Sequence, residues 1–142
     1  MISLIPQEDI LLNWKFISEV LGKYWNKTEN FETLPNLKKR LLGDDCQLWL
    51  YSSDRYYMLF VSETDLTATA TVFRISHCGG LNRDGRRWKK QEVIDVGRAM
   101  FKDIEQLAKN IGHTHIVIQA RDGNELMVDG YKRMPIPIMK KL

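Results

Sequence analysis

The sequence predicts an α+β (α/β) fold: a single domain over residues 1–142, with a central mixed sheet of about six strands and helices on both faces. Three observations predict it. Apolar spacing switches between alternation and three-and-four steps in the order strand, two helices, three strands, helix, strand, short helix, strand. The three middle strands are joined by links so short that they must be antiparallel neighbours. A strand, a basic glycine-bearing loop and a long amphipathic helix then lead into another strand, and a crossover of that size makes the two strands parallel neighbours.

Residues 1–5 form a short apolar strand. Pro6 opens a helix in its first turn, and Glu8 and Asp9 sit at the positive end of the helix dipole. Ile10, Trp14, Ile17, Leu21 and Tyr24 make one face, widened by Phe16 and Val20. Core packing explains this aromatic stripe better than a ligand-binding box. The polar stretch 26–30 breaks the chain. A second helix spans 34–42, capped by Thr33 with Pro35 in its first turn. Leu34, Leu37 and Leu41 face inward, while Lys38, Lys39 and Arg40 form a solvated outer face. Gly43 closes the helix, and Asp44 and Asp45 turn the chain.

Strands at 46–52, 56–62 and 67–76 follow, with turns at Ser53 and Asp54 and at 63–65. The loop 77–87 reads HCGGLNRDGRR, and the long helix spans 88–111. Val93, Val96, Met100, Ile104, Leu107 and Ile111 lie on one face of it, and Gly97 on that side permits close approach to the sheet. Gly112 ends the helix at C′. Residues 113–120 alternate, with Ile116, Ile118 and Ala120 on one side, as a buried strand does. A short helix at 125–129 is stopped by Gly130. The last strand, 135–140, carries Pro135 and Pro137, which lack an N–H and place it at an edge.

The net charge is +3, yet residues 83–90 hold five basic side chains and one acid, +4 by themselves. The asymmetry points to an anionic partner at one place and away from a nucleic-acid-binding domain. Trp88 among Arg83, Arg86, Arg87, Lys89 and Lys90 could stack a base, but a solvated helix start explains the cluster better. No apolar run reaches the ~18 residues of a membrane span. The start MISLIPQEDI lacks the regions of a signal peptide, so a cytoplasmic protein is expected. Cys46 and Cys78 have neither metal-ligand spacing nor a CxxC arrangement. Two free thiols are the favoured reading, with a disulfide left open. His113 and His115 lack a third ligand, so no metal is expected.

The long helix running into NIGHTHIVIQARDG, then NELMVDGYKRM with the Gly130–Tyr131 step, then PIPIMKKL, resembles the GNAT superfamily of N-acetyltransferases, and the element order matches over essentially the whole chain. The resemblance implies a single GNAT-like domain in which acetyl-CoA enters a gap between the fourth and fifth strands. The pyrophosphate would lie on backbone N–H groups of the loop before the long helix. The family pattern there, Gln/Arg-x-x-Gly-x-Gly/Ala, falls on 82–87, making Asn82, Arg83, Gly85, Arg86 and Arg87 the cofactor-binding candidates. Gly85 fits the central glycine. Asn82 and Arg87 depart from the pattern, and Arg87 would crowd the cradle while offering its guanidinium to phosphate. The tyrosine that protonates the leaving thiolate falls at Leu126 or Met127; Tyr131 matches the aromatic of the glycine step, normally a packing residue, and is the other catalytic candidate. For the general base, Glu63 lies in a turn and reads as solvated. His77, at the end of the key strand near where a thioester would sit, is the candidate.

A narrower likeness is carried by GGLNRDGRRWKK, IQARDG and DGYKRMPIPIMKKL, a run similar to small GNAT-like proteins of tailed phages, from head and tail morphogenesis clusters or among internal virion proteins. Their fifth strand ends Gly-Arg-x-Gly-Trp; here Arg121 and Gly123 are kept and Asn124 replaces Trp. This likeness implies a catalytically degenerate protein, incorporated in a virion or acting in assembly, with virion or host proteins as partners and doubtful acetyl-CoA binding. The alternative is an active acetyl-CoA-dependent N-acetyltransferase on an unknown amine.

Overall fold

A computed structural model of the chain describes residues 1–22, 32–83, 85, 88–118 and 130–132. The element order is β1 (Ile2–Leu4), α1 (Gln7–Leu12), α2 (Trp14–Gly22), α3 (Leu34–Leu42), β2 (Gln47–Ser52), β3 (Tyr56–Leu66), β4 (Thr71–Asn82), α4 (Lys90–Asn110) and β5 (His115–Ile118). Five described strands form one sheet in the order β1-β2-β3-β4-β5. The first four pair antiparallel and β4 pairs with β5 in parallel, as the crossover requires. The expected helix at 125–129 and strand at 135–140 lie outside the described residues.

The sheet buries both faces. Against one lie α1, α2 and α3, where Ile10, Ile17, Val20, Leu21, Leu37 and Leu41 pack on Leu48, Leu59 and Val61. Against the other lies α4, where Met100, Phe101, Ile104 and Ala108 pack on Tyr51, Met58, Phe60, Phe73 and Ile75. Alternation along β2 and β3 sends successive side chains to opposite layers, so these two strands feed both cores, while Phe73 and Ile75 of β4 join the α4 layer.

The first helix is interrupted at Asn13, whose backbone N–H and side-chain Nδ2 both donate to the Asp9 carbonyl, at 3.0 and 2.8 Å. Phe16 does not widen the buried face as expected. It is 48% exposed and meets Tyr57 at 6.2 Å between ring centroids. The second helix has its expected bounds, and Thr33 Oγ1 accepts from Asn36 N at 3.3 Å. Arg40 departs from expectation by turning inward, for reasons given below.

Three strand boundaries move. The first of the middle strands begins at Gln47, with Cys46 buried just before it. The turn expected at 63–65 does not exist, because β3 runs on to Leu66. The chain reverses instead at 67–70, where Thr67 N donates to the Ala70 carbonyl at 2.9 Å and Thr67 Oγ1 accepts from Ala70 N at 2.9 Å. The alternating threonines that suggested a strand start are thus partly a side-chain-closed turn. Correspondingly, β4 starts at Thr71 and continues through both glycines to Asn82, so His77 and Cys78 lie within a strand and not at its end.

Helix α4 buries Gly97, Met100, Phe101, Ile104 and Ala108. The stripe is rotated from the expected one: Val93 and Ile111 are exposed and Leu107 is partly buried. Large aromatic Phe101 and small Ala108 take up the contact, a substitution that three-and-four spacing of aliphatics could not foresee. Gly112 adopts φ +96, the left-handed residue that ends the helix.

Candidate functional site: the bulged strand and its buried histidine

The site is built around a bulge. Val61 pairs with His77 but Ser62 pairs with Ile75, so Ser76 is an extra residue in β4. A bulge bends its strand and re-aims the neighbouring side chains. The last described rung between β4 and β5 is Ile75–Ile118, immediately before it.

The bulge sends His77 to the layer of α1, α2 and α3. It is 7% exposed. Its Nδ1 lies 2.8 Å from Ser76 Oγ, and its Nε2 lies 3.6 Å from Glu32 Oε1. Glu32 precedes the cap of α3 and is held there by Arg40, whose Nε and Nη2 donate to its two oxygens at 2.6 and 2.7 Å, and by Asn36 Nδ2 at 2.5 Å. Arg40 Nη1 also donates to Glu63. The other oxygen of Glu63 accepts from Arg74, which donates through Nε to Asp65 at 2.8 Å. Glu63 is therefore not a solvated turn residue. Its side chain is 11% exposed, in a strand, between two guanidinium groups. Arg40 is likewise not part of a solvated face, because two carboxylates draw it in.

The sequence carried a signal for this network. Glu32, Asn36 and Arg40 recur at four-residue steps, which places them along one side of a helix and its cap. Glu63 and Asp65 alternate on a strand, facing Arg74 across the hairpin.

Burial holds His77 below its ordinary value of 6.5, with Glu32 opposing that shift and Arg40 reinforcing it. Hydrogen bonds from Arg40 hold Glu32 below its ordinary value of 4.5, against desolvation. Arg40 is raised, first by Glu32. Burial pushes the Cys46 thiol up to about 11, leaving it protonated and unreactive near neutrality. Cys46 and Cys78 are free thiols.

A pH dependence follows. The unfolded imidazole takes up its proton near pH 6.5, whereas the folded one does so only at lower pH. Between the two values the unfolded state binds more protons, so stability falls as pH drops below about 6.5 and levels off once both states are charged. Glu32 extends the loss, since its contribution is present above its ordinary value and disappears as pH falls through its lower folded one. Melting temperature should decline between about pH 7.5 and 5.5, and His77→Gln should flatten that part of the profile. An unchanged slope in the variant would assign the titration to another group.

The other expected site residues are scattered. Tyr131 donates to Glu105 of α4 at 2.9 Å, and burial and that carboxylate raise its hydroxyl. It thus sits against the α4 layer, across the sheet from His77, and the two do not meet. In the cofactor loop, Asn82 ends β4. Arg83 N donates to the Arg55 carbonyl at 2.8 Å, and Arg83 Nη2 donates to Ser52 Oγ at 2.6 Å. Arg83 also lies 5.7 Å over the Tyr57 ring. Gly85 is exposed at φ +68, with open space around it. Arg86, Arg87, Leu126 and Met127 lie outside the described residues. What is described fits an approaching anion only at the loop: the left-handed Gly85 leaves its backbone accessible, whereas at the start of α4 the Lys89 N–H is taken by Glu92 Oε1 at 3.2 Å, which sets a carboxylate at the helix end. Trp88 is no base-stacking platform. It is buried against Tyr56, and Arg55 covers it at 5.0 Å while pairing with Glu92.

His113 Nε2 meets Thr64 Oγ1 at 2.9 Å, and His115 Nδ1 meets Thr114 Oγ1 at 2.8 Å. Among the described residues no three His, Cys, Asp or Glu side chains group as a metal site would need. Nor, among them, is any helix long and apolar enough to cross a membrane.

No protein-family model matches the sequence, and no curated protein matches it. Solved structures do. A probable acetyltransferase aligns with TM-score 0.57 and 12% identity over 99% of each chain. An aminoglycoside acetyltransferase from an uncultured soil metagenomic sample, solved in complex with sisomicin, aligns with TM-score 0.55 and 13% identity over 100% of this chain and 95% of that one. A GNAT family acetyltransferase of Staphylococcus aureus aligns with TM-score 0.54 and 16% identity over 100% of this chain and 98% of that one. At such identities the likeness speaks to architecture, and in architecture the chain has the fold of the GNAT acetyltransferases.

Proposed function

We propose that the chain is a catalytically degenerate GNAT-like protein of a tailed phage, acting through protein contacts as a virion or assembly component. The observation that carries the degenerate reading is the state of its two proton-transfer candidates. His77 is enclosed between Ser76 and Glu32. Tyr131 is engaged with Glu105 on the other side of the sheet. Amine acylation by a thioester needs a base within reach of the amine and an acid within reach of the departing thiolate, and neither candidate has that freedom. The phage assignment is supported by the sequence likeness of residues 79–90, 118–123 and 129–142. Residual thioester binding in the β4–β5 region is part of this reading, with Arg87 offering charge while crowding the backbone.

A second reading, an acetyl-CoA-dependent N-acetyltransferase, is favoured by one observation: a bulge at Ser76 re-aims β4 directly beyond its Ile75–Ile118 rung with β5. Acetyl-CoA would supply the acyl group, and Asn82, Arg83, Gly85, Arg86 and Arg87 would hold its phosphates. His77 would then be the group that takes the amine's proton.

Titration calorimetry with acetyl-CoA tests the binding side. Each backbone hydrogen bond lost from the cradle weakens binding by about 0.5–1.5 kcal/mol, so affinity no tighter than high micromolar is expected. Gly85→Glu should abolish what remains, since it puts a carboxylate at the anion site. Its fold cost is about 1 kcal/mol, because φ +68 disfavours a side chain but the space is open. Equal binding by wild type and variant would place the anion elsewhere. Recovery of the chain from purified virions tests the phage side; its presence in lysate but absence from particles would remove the virion role.

A further inference from the structure

We propose that the outer edge of β1 is a self-association surface: two copies of the chain pair there antiparallel about Ser3, joining their sheets into one. The pairing names a partner for the protein contacts invoked above, and it stands independently of the phage and acyltransferase readings.

Among the described residues β1 pairs with β2 alone and ends the sheet. Met1 N donates to the Ser52 carbonyl at 2.9 Å, Ser52 N donates to the Met1 carbonyl at 2.9 Å, and Ile5 N donates to the Leu48 carbonyl at 2.9 Å. Residues 1, 3 and 5 therefore turn their backbone groups toward β2. Antiparallel ladders alternate, so the N–H and C=O of Ile2 and of Leu4 point outward. That spacing is its own complement. With a two-fold axis at Ser3, Ile2 of each copy faces Leu4 of the other, and each such pair exchanges both backbone hydrogen bonds. The same residues at the same spacing on both sides are the condition for an isologous contact, which favours a second copy over a foreign strand.

The side chains agree with the register. Ile2 and Leu4 share the α4 face, where Ile2 and Trp49 already pack against that layer. Leu4 is 53% exposed. In the pair it lies across Ile2 of the second copy, so the apolar margin of one α4 layer runs into the other. Sheet edges of monomers are guarded by lysines, prolines or bulges. Here no Lys or Arg precedes Lys15, and the strand Ile2–Leu4 holds no proline and no bulge. The acids Glu8 and Asp9 do not oppose the contact, because the axis places the Pro6 residues that precede them at opposite ends, about 20 Å apart at the usual strand rise. Five of the eight large apolar side chains exposed among the described residues fall within the first 16: Met1, Leu4, Leu11, Leu12 and Phe16. Apolar exposure gathered in one segment marks an association surface.

A three-residue strand makes a small contact, so the dimer should be weak and form only above about 10 μM. Sedimentation velocity from about 1 to about 500 μM reads it, and a chain that stays monomeric throughout overturns the proposal in favour of a foreign partner or none. Leu4→Lys should raise the dissociation constant at least about tenfold, with the melting temperature of the dilute monomer unchanged. Leu4→Pro removes an outward N–H and no β1–β2 hydrogen bond, so it should weaken the dimer as much. A dimer of wild-type strength in either folded variant overturns the register. Amide exchange of the wild-type chain gives a reading that needs no variant. The Ser3 and Ile5 amides should be protected at every concentration, and those of Ile2 and Leu4 only where the dimer forms. Equal exchange of Ile2 and Leu4 in dilute and concentrated protein also overturns the pairing.

Discussion

Replacing Gly79 with alanine should destabilise the protein by about 3 kcal/mol or more, the range of overpacked sites that cannot relax. A Cβ at Gly79 would overlap the Val20 carbonyl oxygen, come within 3.0 Å of its carbonyl carbon and within 3.4 Å of Leu21 Cα. All three are backbone atoms of α2, so no rotamer change relieves the clash. The helix must lift from β4, and lifting it exposes Val20 and Leu21, both of which are buried. Gly80 is constrained on the opposite layer, where a Cβ would strike the Tyr56 ring and approach the Tyr57 carbonyl at 2.8 Å. Thermal or urea unfolding of Gly79→Ala is the check, and a wild-type midpoint would contradict the crossing of α2 over β4.

Ile104→Asp should cost about 3–5 kcal/mol, enough to unfold a marginal domain. Ile104 is 0% exposed, at the centre of the layer between α4 and the sheet. An aspartate there must either stay ionised without a partner or take up a proton and still leave a polar group unsatisfied. Leu107→Asp should cost less, because Leu107 lies at the margin of the same cluster and can turn a carboxylate toward water. Equal losses at the two positions would mean that the helix is rotated from the arrangement described.

These two positions also show where sequence reading succeeds and where it does not. The layer order, the antiparallel middle strands and the parallel crossover were legible, because apolar periodicity and link length are local signals with few structural answers. Ile104 followed from the same periodicity. Gly79 and Gly80 did not. A glycine pair reads as a turn, and only the tertiary approach of Val20 and Tyr56 reveals it as a strand segment with no room for side chains. Glu63 and Asp65 misled for a related reason: acids near a strand end read as a turn until Arg74 is placed opposite them. Arg40 read as solvated because its partners, Glu32 and Glu63, stand 8 and 23 residues away. His77 was legible as a candidate by type and place, but the bulge that aims it and the carboxylate that covers it arise from pairing register, which one sequence does not display. The cofactor candidates Arg86 and Arg87 lie outside the described residues and rest on the family resemblance.

The most direct measurement of the central claim is CoA release from acetyl-CoA by the purified chain, followed with a thiol reagent across a broad panel of amines and peptides. General acid or base assistance is worth about 10²–10⁴-fold for each group. With His77 enclosed and Tyr131 committed to Glu105, release should not exceed the uncatalysed rate for any acceptor. Sustained turnover with any amine, lost in His77→Gln, would contradict the degenerate reading and establish the chain as an acetyltransferase.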